Sequence, residues 1–274
     1  MNCDLRDALS SQPIDLPVFN PVALDLLQLL AGPDINYFEV IRSIKEDEAL
    51  SAQVLKMSNS PSYMGRIRCE TIENSAIRLG TQQIANLAIA ASHASLHTSD
   101  NIVVNEIMQN LWLHSHACAL GCRSIALKTS HQSFADHAYM AGLLHDIGKL
   151  YLLKALEHIG KKNRSGFELT PEMILEVFSE MHVESGCRIM DCWNIPNIYR
   201  NIVANHHAKQ LDGNDFLLAI VRVVNVNSIK FNLSHYPTKT DYKIDSAEFD
   251  SLPINDSLLS SLEVVMTGSR VDIV

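Results

Sequence analysis

The sequence lacks three features that define large classes of protein. Its 22 basic side chains are outnumbered by 31 acidic ones, and the resulting net charge of −9 argues against a broad nucleic-acid-binding surface. Its 6 cysteines form no Cys-x-x-Cys pair, which is typical of reduced cytosolic thiols. The first residues show no signal peptide, and the longest apolar stretch is shorter than the ~20 residues that span a bilayer. We therefore expect a cytoplasmic protein that binds neither nucleic acid nor membrane.

Alternating strand patterns and fixed-period repeats are absent as well, and apolar residues recur instead at steps of three and four. This pattern predicts an all-α fold. Thr170 is a candidate N-cap ahead of Pro171, and Gly148 is the expected break in one long helix. The helices are predicted at residues 21–30, 37–45, 47–57, 75–79, 81–96, 101–128, 134–156, from 171 onward, 183–193, 196–206, 216–231 and 256–266.

Three parts are predicted along the chain. Residues 1–105 form an N-terminal helical part, and residues 106–236 form a helical bundle that contains most of the histidines. Residues 237–274 comprise a polar segment and a C-terminal helix. The polar stretch at 233–253 is interpreted as a loop or a covering segment.

Among the 12 histidines, His145 directly precedes Asp146 in the segment AGLLHDIGKL. A neutral imidazole and a carboxylate are both good ligands for divalent metals. Adjacent residues on a helix point about 100° apart, so this pair could straddle one metal or face two. Lys149 lies one turn further on, where its ammonium could meet a phosphate oxygen.

Four more candidate ligands fall on or beside separate predicted helices, and converging helices are how bundles build metal sites. They are His114, His182, His206 and His207. His116 cannot share a helix face with His114, so it is interpreted as a surface or packing residue. The same interpretation holds for His93, His97, His131, His137, His158 and His235. Cys118 and Cys122 are interpreted as small buried side chains, with membership of a site as the alternative.

These residues follow the order of a known superfamily. His114 followed by His145-Asp146 resembles the HD phosphohydrolases, and HDIGK with His182 and the pair His206-His207 is similar to the HD-GYP branch, which degrades cyclic dinucleotides. The closer resemblance is to the HDOD family, through LPVFNPVALDLLQLL, IKEDEALSAQVLKMSNSPSYMG, TIENSAIRLGTQQIANLAIA and CWNIPNIYRNIVANHH. It covers residues 16–231 and implies an HD-domain-like helical bundle with an N-terminal helical subdomain.

The resemblance also implies a ligand set. HDOD domains commonly lack the metal ligands of HD hydrolases, but this chain matches six of the ligand positions: His114, His145, Asp146, His182, His206 and His207. The superfamily expects a further Asp in the helix at 216–231. This chain has Asn225 or Asn227 there, and an amide oxygen is a poorer, uncharged ligand. The GYP turn is also missing.

Two functions follow from the resemblance. The first is a bacterial signal-transduction protein of the output or interaction type, with an unidentified protein partner and one or two divalent ions of iron, manganese or zinc. The alternative is a metal-dependent phosphohydrolase or phosphodiesterase with an incomplete ligand set, which acts on a nucleotide or cyclic dinucleotide. Asp146 and Lys149 would then be catalytic, with Lys149 stabilising phosphate. A third hypothesis is a sensor that binds a nucleotide without hydrolysing it.

Overall fold

The structure is a computed structural model that describes residues 3–12, 20–31, 35–63, 65–162, 169–208, 215–234, 252 and 254–269. All regular structure in these ranges is helical, which confirms the predicted all-α class. The helices of the first part are α1 (Cys3–Ser10), α2 (Pro21–Ala31), α3 (Tyr37–Lys45), α4 (Glu48–Ser58), α5 (Ile72–Leu79) and α6 (Thr81–Ser95). They are followed by α7 (Ile102–Lys128), α8 (Ala135–Leu144), α9 (Ile147–Lys162), α10 (Pro171–Cys192), α11 (Asn197–Asn205), α12 (Phe216–Lys230) and α13 (Asp256–Gly268).

Local sequence explains where several helices begin and end. The Thr170 side chain accepts a hydrogen bond from the Met173 backbone N–H and Pro171 occupies the first turn of α10, as predicted. Asp47 and Asp215 cap α4 and α12 in the same way. Gly80 separates α5 from α6 with a φ of 90°, a conformation that side chains rarely adopt. Capping residues and a glycine in the local sequence therefore determine where these helices begin and end.

Helix α6 is the centre of the first part. It is rich in alanine and almost wholly buried, and α2, α3, α4 and α5 pack against it. Small side chains allow such close approach on several sides at once.

The second part is organised around α7, which is 27 residues long and packs against α8, α12 and α13. Helix α9 packs against α10, and α10 against α11. Contacts of α6 with α8 and of α1 with α9 join the two parts, so their buried apolar side chains form one continuous core. The domain boundaries at residues 105 and 236 stay a prediction.

Three details differ from the sequence-based expectation. The long helix at 134–156 breaks at His145-Asp146 rather than near Gly148, because α8 ends at Leu144 and α9 begins at Ile147. The separate helix at 183–193 is the second half of the continuous helix α10. Helix α1 was not predicted, and it packs against α9. Except for Leu233, Ser234 and Leu252, the polar stretch at 233–253 lies outside the described residues.

None of the helices in the described ranges combines the length and apolar character that a membrane crossing requires.

Candidate metal centre

The break between α8 and α9 brings two adjacent side chains to one point inside the bundle. His145 and Asp146 lie in the two-residue connection between these helices, and both are buried. Asp146 Oδ2 lies 3.3 Å from His145 Nε2. The adjacent pair therefore points into a single site.

Asp146 Oδ2 and two imidazole nitrogens form a nearly regular triangle. The oxygen lies 3.3 Å from the Nε2 atoms of His114 and His145, and these two nitrogens are 3.2 Å apart. Tetrahedral ligands held at about 2.0–2.1 Å from an ion are separated from one another by about 3.3–3.4 Å. The three atoms are thus spaced as neighbouring ligands of one ion.

The other oxygen of the same carboxylate faces a second group of histidines. Asp146 Oδ1 lies 3.5 Å from His206 Nε2 and 3.9 Å from His182 Nε2, distances too long for hydrogen bonds of normal strength. The candidate ligand atoms of Asp146, His182, His206 and His207 all lie within 4.8 Å of one another. Asp146 consequently lies between two groups of ligand atoms, an arrangement that can accommodate one ion or two.

Backbone carbonyls orient three of the imidazoles. The Nδ1 atoms of His145, His182 and His206 lie 2.8, 2.6 and 2.9 Å from the carbonyl oxygens of Gly142, Phe178 and Val203. In each case Nδ1–H donates to the carbonyl, so the lone pair of Nε2 faces Asp146. Asp146 Oδ1 and the Nε2 atoms of His182 and His206 are then buried acceptors without a hydrogen bond. A cation satisfies all of these lone pairs at once, and the residues present therefore fit a divalent metal.

Burial and charge set these groups to the protonation states that metal ligands need. Burial lowers the pKa of His114 to about 4 and that of His182 to about 3, so both are neutral at pH 7. Burial alone would raise the pKa of Asp146, but Lys149 and His145 hold it well below its usual range. The Lys149 ammonium lies 2.7 Å from Asp146 Oδ2. The neutral imidazoles of His114 and His182 and the ionised Asp146 carboxylate are the forms that bind metal without first losing a proton.

Two glycines bring the ligand-bearing helices into direct contact. A Cβ atom added at Gly148 would lie 1.9 Å from the carbonyl oxygen of His182 and 2.7 Å from the backbone nitrogen of Gly186. A Cβ atom at Gly142 would lie 2.6 Å from the carbonyl oxygen of Cys118. The glycine of HDIGK is therefore the residue that lets α10 approach α9 and brings His182 to Asp146, and it does not break a helix.

The six predicted ligands lie in two groups of candidate ligand atoms on either side of the Asp146 carboxylate, and they are called the metal-site cluster below: His114, His145, Asp146, His182, His206 and His207. Lys149 joins them as an ion-pair partner of Asp146. Their roles as ligands or catalytic groups stay predictions. His116 is fully buried and stacks on Trp112 at 5.2 Å between ring centroids, so it packs rather than lies at the surface.

Helix α12 supplies no carboxylate to this position. The Asn227 amide donates to the Val223 carbonyl within its own helix at 2.8 Å, and the half-buried Asn225 accepts from Ser228 through its backbone carbonyl. Helix α12 contains no Asp or Glu at all. Cys118 on α7 is buried, as predicted, and its Sγ atom lies 3.8 Å from His114 Nε2. The four-residue spacing from His114, which puts both on one helix face, was the available signal.

The cluster communicates with one small cavity of about 20 Å³, room for a single water molecule. His114 and Lys149 line its inner end. Ile107, Asn110, Leu111, Phe178 and Ser234 line the rest.

A helical bundle that directs an Asp and several His side chains from separate helices to one buried point is a domain of the HD type. The HDOD domain family matches residues 16–209, and the chain belongs to this family. A curated protein of Treponema pallidum (strain Nichols), described as uncharacterized, is 24% identical over 214 residues. These residues are 74% of this chain and 40% of that protein, so the chain spans about two fifths of the relative's length.

Solved structures share the fold at low sequence identity. An HDOD domain protein of unknown function from Geobacter sulfurreducens is 19% identical with a TM-score of 0.73, covering 98% of this chain and 95% of that one. A Shewanella amazonensis SB2B protein, provisionally named a metal-dependent phosphohydrolase, is 22% identical with a TM-score of 0.72 over 97% and 96% of the two chains. A Marinobacter aquaeolei VT8 protein, provisionally named a signal transduction protein, is 17% identical with a TM-score of 0.68 over 98% and 63%. These likenesses establish the fold alone.

Proposed function

We propose that this chain is a signalling module of the HDOD type, which acts through contact with a partner protein and holds a divalent metal in its core. The observation that carries the proposal is the metal-site cluster with its buried, unsatisfied lone pairs around Asp146. A mixed imidazole and carboxylate set suits iron, manganese or zinc. An ion there would link α7, α9, α10 and the end of α11, and it would stabilise the arrangement that a partner recognises.

The enclosure of the cluster favours a structural or regulatory metal over a catalytic one. Catalysis needs an open coordination position and space for the substrate. Small-molecule sites usually enclose about 300–1,000 Å³, whereas the cavity beside His114 and Lys149 has about 20 Å³. The described residues therefore leave room for an ion and a water molecule, and a nucleotide requires movement of the helices.

Exposed apolar side chains on the first part support a protein partner. Phe38 on α3, Ile77 on α5 and Ile67 are 79%, 78% and 80% exposed. Lys45 on α3 pairs with Glu73 on α5 at 2.7 Å, and Arg78 on α5 donates to the Ile67 carbonyl at 2.9 Å, which holds these segments together. The net charge of −9 disfavours nucleic acid as the partner.

Elemental analysis tests the metal. Wild-type protein purified without chelator or added metal is compared with the double variant His145→Ala/Asp146→Ala and with His158→Ala, a histidine outside the cluster. We expect near-stoichiometric iron, manganese or zinc in the wild type and in His158→Ala, and none in the double variant. Absence of metal from the wild type, including after incubation with zinc or manganese, contradicts the proposal.

Photocrosslinking in host cells tests the partner. A photoreactive residue at position 38 should capture one predominant protein. The same residue at position 264 on α13, where Val264 is 73% exposed, should not capture it. Equal capture at both positions, or none at position 38, argues against this surface.

A phosphohydrolase is the second candidate, favoured by the position of Lys149. Both Lys149 and His114 line the cavity next to Asp146, so the ammonium is the first charge that an entering phosphate would meet. A divalent metal, when bound, would supply Lewis-acid activation of water. The name of the Shewanella protein agrees with this class. The substrate would be a nucleotide or a cyclic dinucleotide.

The hydrolysis test uses metal-loaded protein and a panel of nucleotides and cyclic dinucleotides. Activity in the wild type, lost in Lys149→Met with metal content unchanged, would support this second candidate. If metal-loaded wild type hydrolyses none of these compounds, the phosphohydrolase candidate is contradicted and the signalling proposal is unaffected.

A further inference from the structure

Cys118 stands beside the metal-site cluster on the helix that carries His114. Its side chain is 1% exposed, and its Sγ atom lies 3.8 Å from Nε2 and 3.9 Å from Nδ1 of His114. The candidate ligand atoms of His114, Cys118 and His145 all lie within 4.8 Å of one another. The thiol thus lies with the two imidazoles that form two corners of the triangle described above.

The separations match those of a mixed nitrogen and sulfur shell. A zinc-like ion holds nitrogen at about 2.0–2.1 Å and sulfur at about 2.3 Å, so neighbouring N and S ligands lie about 3.5–3.6 Å apart. The observed 3.8 Å between Sγ and His114 Nε2 is within a few tenths of an ångström of this value. A small rotation about the Cα–Cβ bond of Cys118 covers that difference.

The metal-site cluster also has fewer negatively charged side chains than a divalent ion needs for neutralisation. Helix α12 contributes no carboxylate, since it contains no Asp or Glu. Where α12 approaches Cys118 it presents the buried Ser228 hydroxyl. Asp146 is then the one carboxylate among the grouped ligand atoms of the described residues. A thiolate would supply the second negative charge that neutralises a divalent ion.

The second buried thiol of α7 makes a matched comparison. Cys122 lies one turn beyond Cys118 and is fully buried, and its Sγ atom faces Gly142 on α8. It belongs to no group of ligand atoms in the described part of the chain. Cys122 therefore packs between α7 and α8, whereas Cys118 lies in contact with a ring of the metal-site cluster.

We propose that Cys118 is a metal ligand, and that with His114, His145 and Asp146 it forms a mixed sulfur, nitrogen and oxygen site. This inference rests on the proposed metal centre. A soft thiolate selects zinc, ferrous iron or cobalt over manganese and magnesium, because the latter prefer oxygen ligands. The resident ion is thus a borderline-soft transition metal, held closed at this position by its fourth protein ligand.

Cobalt substitution tests the assignment by spectroscopy. The metal-free full chain is loaded with Co²⁺, and its near-ultraviolet absorption is recorded for the wild type, Cys118→Ser and Cys122→Ser. We expect a thiolate-to-cobalt charge-transfer band in the wild type and in Cys122→Ser, and its loss in Cys118→Ser. Affinity for zinc should fall about 100-fold in Cys118→Ser while manganese affinity changes less, since a lost ligand costs at least as much as a lost supporting contact.

The outcomes separate this inference from the proposed metal centre. An unchanged charge-transfer band in Cys118→Ser with cobalt bound overturns the assignment of Cys118 and leaves the metal centre intact. Cobalt bound by the wild type without such a band has the same meaning. A wild type that binds no cobalt, zinc, iron or manganese overturns both. Cys118→Ala, followed by circular dichroism, distinguishes loss of a ligand from loss of the fold.

Discussion

His114, His145, His182 and His206 surround the Asp146 carboxylate, whereas His93, His97 and His116 surround the indole of Trp112. The three rings of this second group, called the tryptophan cluster here, lie 6.1, 5.7 and 5.2 Å from the Trp112 ring centroid. All of these histidines are buried. Both groups use α7, and their α7 histidines, His114 and His116, are two residues apart on different faces.

The comparison separates burial from ligation. Burial lowers the pKa of His97 to about 4 and that of His93 well below its usual range, as it does for the histidines near Asp146. The tryptophan cluster nevertheless belongs to no group of candidate ligand atoms in the described ranges. The two groups differ in what stands among the rings: a carboxylate surrounded by candidate ligand atoms in the metal-site cluster, and an indole in the tryptophan cluster.

The largest effect is expected from the glycine that brings α10 to the metal-site cluster. Gly148→Ala should reduce the free energy of unfolding by about 3 kcal/mol or more and abolish metal binding, because the new Cβ collides with backbone that cannot turn aside. Urea denaturation and elemental analysis measure the two effects. Gly268→Ala, where no atom lies within 4 Å of the new Cβ, should change stability by less than about 1 kcal/mol. Equal effects at both positions would contradict the close contact between α9 and α10.

One histidine from each cluster provides the next test. His145→Ala should weaken metal binding by about 100-fold or more, because it removes a nitrogen from the triangle around Asp146 Oδ2. His116→Ala should leave metal affinity within a few-fold of wild type while losing the packing on Trp112. Competition titration with a zinc chelator measures both. Similar metal affinities in His145→Ala and His116→Ala would contradict the assignment of metal binding to the metal-site cluster rather than to the tryptophan cluster.

Metal addition should stabilise the protein through the metal-site cluster alone. At a zinc concentration 100 times the dissociation constant, the gain in unfolding free energy is about 2.7 kcal/mol. The melting temperature of wild type and of His116→Ala should therefore rise by about 5–10 °C, given about 2–4 °C per kcal/mol for chains of this size. Asp146→Ala should not respond. A rise in Asp146→Ala would place the ion elsewhere.

The smallest effect concerns pH and the tryptophan cluster. The pKa of His97 is lowered from 6.5 to about 4 by burial, so the unfolded chain takes up a proton that the folded chain refuses. Stability is fully present above pH 6.5 and is lost as pH falls toward 4, by about 2 kcal/mol between pH 7 and pH 5 for this group. Urea denaturation of His97→Gln should show a loss of unfolding free energy between pH 7 and pH 5 that is smaller by this amount than in the wild type. His158→Gln is the control. An unchanged slope in His97→Gln would show that His97 titrates normally.

Much of the fold could be predicted because its information is local. Thr170 and Pro171 are adjacent, and Gly80 directly follows the helix that it ends, so capping chemistry and helical periodicity sufficed. The helix break was predicted near Gly148 rather than at His145-Asp146, because a glycine within a helical pattern is typical of a helix end. Its partner, the His182 carbonyl, lies on a helix whose position a local pattern does not encode.

The site was predictable in its members and not in its geometry. Resemblance supplied the six ligands, and spacing correctly separated His116 from His114. The bridging position of Asp146 and the role of Lys149 as its counter-ion depend on helices that meet only in the folded chain. The contact of Cys118 with His114 was predictable, since Cys118 follows His114 at the same four-residue interval that joins Trp112 to His116.

The contact between the backbones of α9 and α10 at Gly148 also limits how an ion could leave the metal-site cluster. An ion among the ligands of the metal-site cluster is enclosed by helices that touch without side chains between them, so no rotamer change opens a path through this side. Exchange of an ion through this side would require the helices to separate, and zinc release into excess chelator by this route would report how often they do so.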